Sequence, residues 1–574
     1  MAAKTKLELT WIGKDNRPRL EPRILIEDSE FSHHASTRRE GDIFDNMLIH
    51  GDNLLALKAL ETDPAVRGEV KCIYIDPPYN TGSAFEHYDD GLDHSIWLSM
   101  MRDRLSILIN LLAENGVIFV HIDDNEQAYL KVMMDEVFGR RNYCGQIVWE
   151  KKKKPSFLNA NMGTITEYIL CYAKDRRKSP PFNYGFTTEG KKYPLNNAGN
   201  SVGILEFPAQ SVRFRCKDQI FKPQDMSDGN IITELLDKLE VKDGRNSNVF
   251  RLRGEWRYSQ KKLNKIIFDK EDIVISKAPF RPNHIKVGGE DKKMKNLLSI
   301  AHYGMSTYED ATSESIQLFG KQAFDYPKPE KLIETIIGAV TERGDLVLDS
   351  FAGSGTTGAV AHKMGRRWIM VELGEHAKTH IAPRMQKVVN GTDKGGVTEA
   401  AGWKGGGGYR FFRLAPSLLQ KDTWGNWVIS KDYNAEMLAE AMCKHFNYVY
   451  APSTEAYWMH GQASENAFIY VTTTSLTIEQ LRAISDEVGE DRSLLICCMA
   501  YEAQGESLSN LTLKKIPRVV LDRCEWGQDD YSLKINALPM AEDEPDDIDD
   551  TPAPKKSAKA KAADTPDLFG AEED

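Results

Sequence analysis

At 574 residues, 41% hydrophobic and 28% charged, the chain has an ordinary globular composition. That length suffices for roughly two to four domains, each able to bury a core. No run of about 18 apolar residues is present, which argues against a transmembrane helix and a membrane partner. The start "MAAKTKLELTW" lacks the apolar stretch of a secretory signal, so a cytoplasmic location is expected. Eight scattered cysteines without a CxxC pair indicate neither a metal site nor a disulfide framework. The net charge of -11 is unevenly placed. Residues 541–574 carry twelve acidic and four basic side chains, leaving a net of only -3 on the rest. Residues 251–295 hold thirteen Lys or Arg against six Asp or Glu, a local excess suited to phosphate contact.

In chain order, an N-terminal segment (1–45) precedes a stretch (46–175) in which short apolar runs alternate with helix-period segments. "MLIH", "KCIYI" and "GVIFVHI" predict strands, and "SIWLSMMRDRLSILINLLAE" predicts a helix, the pattern of βαβ units on a parallel sheet. Residues 176–300 have weak periodicity and are rich in Lys, Arg, Asn, Gly and aromatics. The α/β pattern returns over 301–412, with "KLIETIIGAV" and "GTTGAVAHKMG" as helices and "DLVLDSF" and "RRWIMVEL" as strands. "GWKGGGGYRFF" (402–412) reads as a flexible connector or glycine-rich turn. Residues 413–540 predict a separate mixed α/β domain, and the acidic tail (541–574) is expected to be disordered.

"LVLDSFAGSGTTGAV" ends a strand at Asp349 and opens a helix, with Gly353, Gly355 and Gly358 in a G-x-G-x-x-G pattern. Such a turn lets backbone amides and a helix N-terminus face a nucleotide-like cofactor, and Glu372 at the next strand end stands where a ribose-binding carboxylate would. Nicotinamide, flavin and S-adenosylmethionine all fit; a P-loop does not, because no Lys follows the glycines.

"IYIDPPYN" (73–80) narrows the choice. An exocyclic base amine is a poor nucleophile, its lone pair being delocalised into the ring. Asp76 and the backbone carbonyl of Pro77 can accept its two N–H bonds and favour charge developing on nitrogen. Pro77 and Pro78 stiffen the loop, and Tyr79 offers a ring face for a flipped base.

"DPPYNTG" (76–82) followed by "DSFAGSGTT" (349–357) resembles the S-adenosylmethionine-dependent DNA amino-methyltransferases of the adenine-N6 type, with the catalytic loop first as in the β class. The length, "GGGGYRFFRL" and "LTLKKIPRVVLDRCEWGQDDYSLKI" further resemble modification subunits of type III restriction–modification systems. The resemblance implies a permuted Rossmann-like α/β sheet of seven strands, an inserted target-recognition domain and a small C-terminal α/β domain. It implies Asp76, Pro77, Pro78 and Tyr79 as catalytic residues. It implies Asp52, Asn53, Asp325, Lys328, Asp349, Phe351, Gly353, Gly355, Thr356, Thr357 and Glu372 as contacts of S-adenosylmethionine.

The expected reaction is direct methyl transfer to adenine N6 in double-stranded DNA, by base flipping, in a bacterial or archaeal cytosol. Partners implied are a second copy of the chain and a restriction (helicase/nuclease) subunit. Lys151, Lys152, Arg251, Arg253, Arg257, Lys261 and Lys262, with Trp256 among them, are the DNA-contact candidates, a solvated charged face being the plain alternative. The absence of a Pro-Cys dipeptide argues against a cytosine-C5 enzyme. N4-cytosine methylation uses the same physics and stays open. So do a catalytically silent DNA-recognition subunit and an NAD-linked oxidoreductase, while a protein-glutamine methyltransferase would usually carry Asn in place of Asp76.

Overall fold

The computed structural model describes residues 8–79, 90–154, 162–186, 191–285, 291–320, 327–502 and 508–532. Asp325 and the acidic tail fall outside these residues.

Strand-forming residues punctuated by polar turns build an eleven-stranded sheet. Its strands are β1 (Leu25–Glu27), β2 (His33–His34), β3 (Asn46–His50), β4 (Val70–Ile75), β5 (Leu112–Ile122), β6 (Tyr143–Glu150), β7 (Thr166–Ala173), β8 (Leu297–Leu298), β9 (Leu346–Asp349), β10 (Arg367–Glu372) and β11 (Gly408–Leu414). The order is β1-β11-β3-β10-β9-β4-β5-β7-β6-β8, with β2 paired to β11. Within it lies the expected seven-stranded unit, β3-β10-β9-β4-β5-β7-β6, in which only β7 runs antiparallel to its neighbours. Four further strands extend its two edges.

The period-two alternation of side chains sorts the core onto two faces. In β4, Cys72 and Tyr74 join one cluster and Ile73 and Ile75 the other. Helices α1 (Asn53–Glu61) and α2 (Asp90–Leu111) cover the second face through Leu54, Leu57, Trp97, Met101, Leu105 and Leu108. On the first face, α3 (Glu330–Val340) and α4 (Thr356–Lys363) bury Leu332, Ile336, Ala359 and Val360. With helices on both faces, the strand ends are the only place where loops meet, which is where α/β sheets put their ligands.

Residues 176–300 show weak periodicity because their strands are two to six residues long. Apart from β8 and the separate pair Asn183–Phe186 with Asp291–Lys293, these form a four-stranded and a seven-stranded sheet around Phe207, Phe214, Phe250, Leu252 and Phe280. Toward the C-terminus, a five-stranded sheet (Val449–Tyr450, Gly461–Ser464, Ala467–Val471, Ser493–Cys498, Leu511–Lys515) packs with helices Ala435–Phe446 and Ile478–Val488. Its mix of helices and strands matches the α/β character expected of this segment.

The flexible-connector reading of 402–412 is corrected. Gly405 to Gly408 are buried, and β11 pairs in parallel with β3 over five residues. Gly405 has φ +88, and a Cβ there would lie 2.8 Å from the Gly391 nitrogen and 2.9 Å from the Val389 carbonyl oxygen. The glycines therefore permit close backbone packing, not length or mobility. Gly405→Ala should cost about 1–3 kcal/mol more in denaturant unfolding than Gly402→Ala, whose Cβ would meet open space. Equal losses would restore the connector reading.

Candidate active site

β4 and β9 are direct neighbours in parallel register, Leu348 opposite Ile73. The loop opening at Asp76 and the glycine loop after Asp349 therefore leave the same edge of the sheet side by side, although 273 positions separate them in the chain.

Each oxygen of the Asp76 carboxylate has a donor. Tyr79 Oη donates to Oδ1 at 2.9 Å, and Lys328 Nζ donates to Oδ2 at 2.6 Å. Pro77 is buried, and the carbonyl of Pro78 accepts the Trp97 indole N–H at 2.8 Å, fixing the loop onto α2.

Behind Asp76 sits a buried polar cluster centred on Glu167 of β7. Tyr79 Oη is 3.2 Å from its Oε2, and Tyr308 Oη 2.9 Å from both oxygens. Lys151 Nζ lies at 3.1 Å, and His121 Nε2 at 2.9 Å. The other His121 nitrogen takes Tyr74 Oη at 2.8 Å, so the ring order is Tyr74–His121–Glu167. Burial alone would push Glu167 up, but Lys328, His121 and Lys151 outweigh it and hold the carboxyl well below the usual range. Burial, reinforced by the Lys328 charge, lowers His121 against the pull of Glu167 and keeps the imidazole neutral. The Tyr74, Tyr79 and Tyr308 phenols are raised by burial and by the nearby carboxylates, so all three remain donors.

The glycine loop has a different character. Asp349 is fully buried; its oxygens accept the Phe351 N–H at 2.9 Å and the Thr357 hydroxyl at 2.6 Å. Burial raises its carboxyl to about 7, against those two bonds, with Asp76 and Glu372 adding to the rise. Gly353 has φ +52, a conformation glycine adopts without strain, and its N–H donates to Glu372 Oε2 at 2.8 Å. Glu372 Oε1 accepts the Gly374 N–H at 3.0 Å and faces His376 Nε2 at 3.1 Å. Gly355 caps α4 in a left-handed conformation, while Arg384 Nη1 ties Thr356 Oγ1 at 2.9 Å.

This donor set suits S-adenosylmethionine and not a dinucleotide. A diphosphate needs free loop amides, yet the Gly353 amide is already taken by a carboxylate, and the Asp76 and Glu372 carboxylates stand beside the loop. A cationic sulfonium is favoured by the same charges that would repel phosphate.

Other expected residues fall as follows. Asp52 caps α1 through Leu55 N at 3.0 Å, and its second oxygen accepts Tyr531 N–H at 3.0 Å. Arg104 Nε donates to Asn53 Oδ1 at 2.5 Å, and Asn53 Nδ2 donates to the Ser350 carbonyl at 2.7 Å, so this corner is joined to the glycine loop. Lys328, assigned from sequence to the cofactor, donates to Asp76. Lys151, assigned to DNA, points at Glu167, while Lys152 is half-buried beside it. Arg251 and Arg253 stand on the exposed face of strand Phe250–Glu255, paired with Asp237 at 2.9 Å and Glu234 at 3.2 Å. Arg257 reaches Asn197 at 3.2 Å, and Lys261 and Lys262 are exposed. Trp256 is buried in the core of its sheets, not offered to a ligand. Glu167, His121, Tyr74 and Tyr308 were absent from the sequence expectation. A histidine inside the apolar run "VIFVHI" and a glutamate opening "TEYILCYA" were the available signals.

A family model described as DNA methylase matches residues 70–383, more than half of the chain. The chain belongs to this family. That membership sets aside the oxidoreductase alternative, in agreement with the electrostatics of the glycine loop. The chain is 32% identical over 418 residues to the probable type III restriction–modification enzyme HindVI Mod subunit of Haemophilus influenzae, covering 66% of this chain and 55% of that protein. It is 25% identical over 567 residues to the type III restriction–modification enzyme EcoP15I Mod subunit of Escherichia coli, covering 85% of each. It is also 24% identical over 352 residues to the DNA adenine methyltransferase YhdJ of Escherichia coli K12, covering 61% of this chain and 83% of that protein. The chain thus spans little more than half the length of the first of these relatives. No described helix is long and apolar enough to cross a membrane.

The raised carboxyl of Asp349 gives a pH test. Its folded pKa, about 7, lies above the unfolded 3.8, so the folded state holds the extra proton between those values. The burial penalty is absent below the unfolded pKa and grows as pH rises toward 7. Asp349→Asn should therefore raise the Tm by roughly 2 °C or more at pH 8, with the gain vanishing at about pH 4. Thermal melts showing the same shift at both pH values would contradict a buried, raised carboxyl.

Proposed function

We propose that the chain methylates N6 of adenine in duplex DNA, with S-adenosylmethionine as donor, as part of a restriction–modification system. The observation that carries this reading is the placement of Asp76 at the strand end beside the glycine loop, with Tyr79 fixed between Asp76 and Glu167. Adenine is favoured by Asp before the two prolines, and by a relative named for that base.

When bound, S-adenosylmethionine would supply an electrophilic methyl on a neutral thioether leaving group. Asp349, Phe351, Gly353, Gly355, Thr356, Thr357 and Glu372 would hold it, with Asp52 and Asn53 at its adenine end. The chain's own residues do the rest. Asp76 and the Pro77 carbonyl accept the two N–H bonds of the target amine, drawing its lone pair toward the methyl group as the N–C bond forms. Positive charge then develops on nitrogen, and the departing proton passes to Asp76 and on to solvent. The loop prolines hold the acceptors in place at little ordering cost, and the low-dielectric surroundings strengthen them. Because adenine N6 is buried in the stack, the base has to leave the duplex, and Tyr79 is its stacking surface.

Residues 176–300 are the target-recognition domain, and their exposed Arg251, Arg253, Lys261 and Lys262 contact phosphates. Arg251 and Arg253 would exchange their acidic partners for the backbone. A second copy of the chain and a restriction subunit are the partners that fit a Mod-type relative of this extent.

Asp76→Ala should lower transfer of labelled methyl to DNA by at least about 1,000-fold, while S-adenosylhomocysteine still binds in calorimetry. Retained turnover would end the catalytic role of Asp76. Gly353→Asp adds a carboxylate beside Glu372 and should remove cofactor binding itself. Unaltered affinity there would mean that the cofactor lies elsewhere. Nucleoside analysis of the product separates N6-methyladenine from N4-methylcytosine.

A further inference from the structure

Lys328 stands just before α3, its side chain 7% exposed, and reaches back into the acceptor site. Nζ lies 2.6 Å from Asp76 Oδ2 and 4.0 Å from Glu167 Oε2. It also sits 5.3 Å from the centroids of both the Tyr79 and the Tyr308 rings, so aromatic faces flank it. An ammonium on a flexible stem donating to Asp76 makes the same kind of hydrogen bond that the exocyclic amine of a base would make. Lys328 is therefore bound where a nitrogen with N–H donors is meant to bind.

The surroundings give this ammonium somewhere to go. Two carboxylates, Asp76 and Glu167, share the single phenol proton of Tyr79. Unopposed, their like charges in a poorly hydrated site would be costly. Lys328 lies between them, in contact with one and just short of the other. Shifting Nζ toward Glu167 would free Asp76 Oδ2 for the N–H of an incoming neutral amine while the ammonium keeps a carboxylate partner. Lys151 holds the far oxygen of Glu167 at 3.1 Å, so the near oxygen is the one that faces Lys328.

We propose that Lys328 is an internal occupant of the acceptor site, holding Asp76 in the free enzyme and passing to Glu167 when the target amine arrives. This rests on the reading of Asp76 as the amine acceptor. Lys328 is a positioning residue in this scheme: it holds the Asp76 carboxylate in place by its hydrogen bond, and it makes the site selective for a group that can replace that bond. Glu167 is the receiving carboxylate.

The exchange has a kinetic signature that a fixed ion pair lacks. Breaking the Lys328–Asp76 contact is a cost met on each entry of a base, so it lowers the apparent affinity for DNA. Lys328→Met removes that cost along with the charge that keeps Asp76 in place. Full-length wild type, Lys328→Met and Glu167→Gln would be compared in steady-state transfer of labelled methyl to unmethylated phage DNA. Calorimetry with S-adenosylhomocysteine would report on folding. Lys328→Met should lower both the KM for DNA and kcat, each by about tenfold. Glu167→Gln, which removes the receiving charge, should raise the KM by about tenfold.

A Lys328→Met enzyme with unchanged or higher KM would overturn the exchange and make Lys328 a fixed partner of Asp76. Should that variant fail to bind S-adenosylhomocysteine, Glu167→Gln decides alone, and an unchanged KM there overturns the proposal. Failure of the functional reading would look different, because the wild-type chain would then label no DNA at all.

Discussion

The parallel pairing of β4 with β9 is the constraint on which the rest of the structure depends. A parallel sheet ends all its strands' loops on one edge, and neighbouring strands end within a few ångströms of one another. One pairing therefore brings the loop that opens at Asp76 and the glycine loop after Asp349 together, although the inserted section separates them in sequence. Both strands are buried on both faces, Cys72, Ile73, Val347 and Leu348 all having no exposed surface, so neither can slip in register without exposing its core. The order of the two loops along the chain is immaterial to this geometry, which is why a permuted chain can carry the same site.

Electrostatics then divides the shared edge into two environments. Around the glycine loop, Asp349 and Glu372 use their oxygens on backbone amides and a threonine, giving a preorganised loop. Around Asp76, two lysines, a neutral histidine and three protonated phenols surround a second carboxylate. In the proposed reaction a cationic methyl donor would lie with the first and a neutral amine with the second. The methyl group would cross between them at the point where Asp76 faces both.

Much of this was legible in the sequence because it is written locally. The apolar runs of β4, β9 and β10 and the glycines after Asp349 announce strand, turn and helix without tertiary information. "DPPY" carries its chemistry in four consecutive residues. What was not legible depends on distant partners. Lys328 reads as one more lysine near the cofactor loop; only the fold points it at Asp76. Lys151 sits in a run of four lysines that looks solvated, yet the antiparallel pairing of β6 with β7 sets it against Glu167. Asp52, read from its motif as a cofactor contact, also caps α1, and only the fold shows that residue 531 returns to its second oxygen. The glycines at 405–408 misled because glycine permits either looseness or close approach, and composition cannot tell which. Short strands hid the sheets of 176–300 for a related reason, since two to six residues hold too few alternations to register as a period.

Long-read methylation sequencing of DNA from a methylation-deficient host expressing the wild-type chain or Asp76→Ala tests the central claim most directly. The account predicts N6-methyladenine within one recurring sequence motif for the wild type and none for the variant. Unmodified DNA with the wild type, or modification that survives the loss of Asp76, would contradict it.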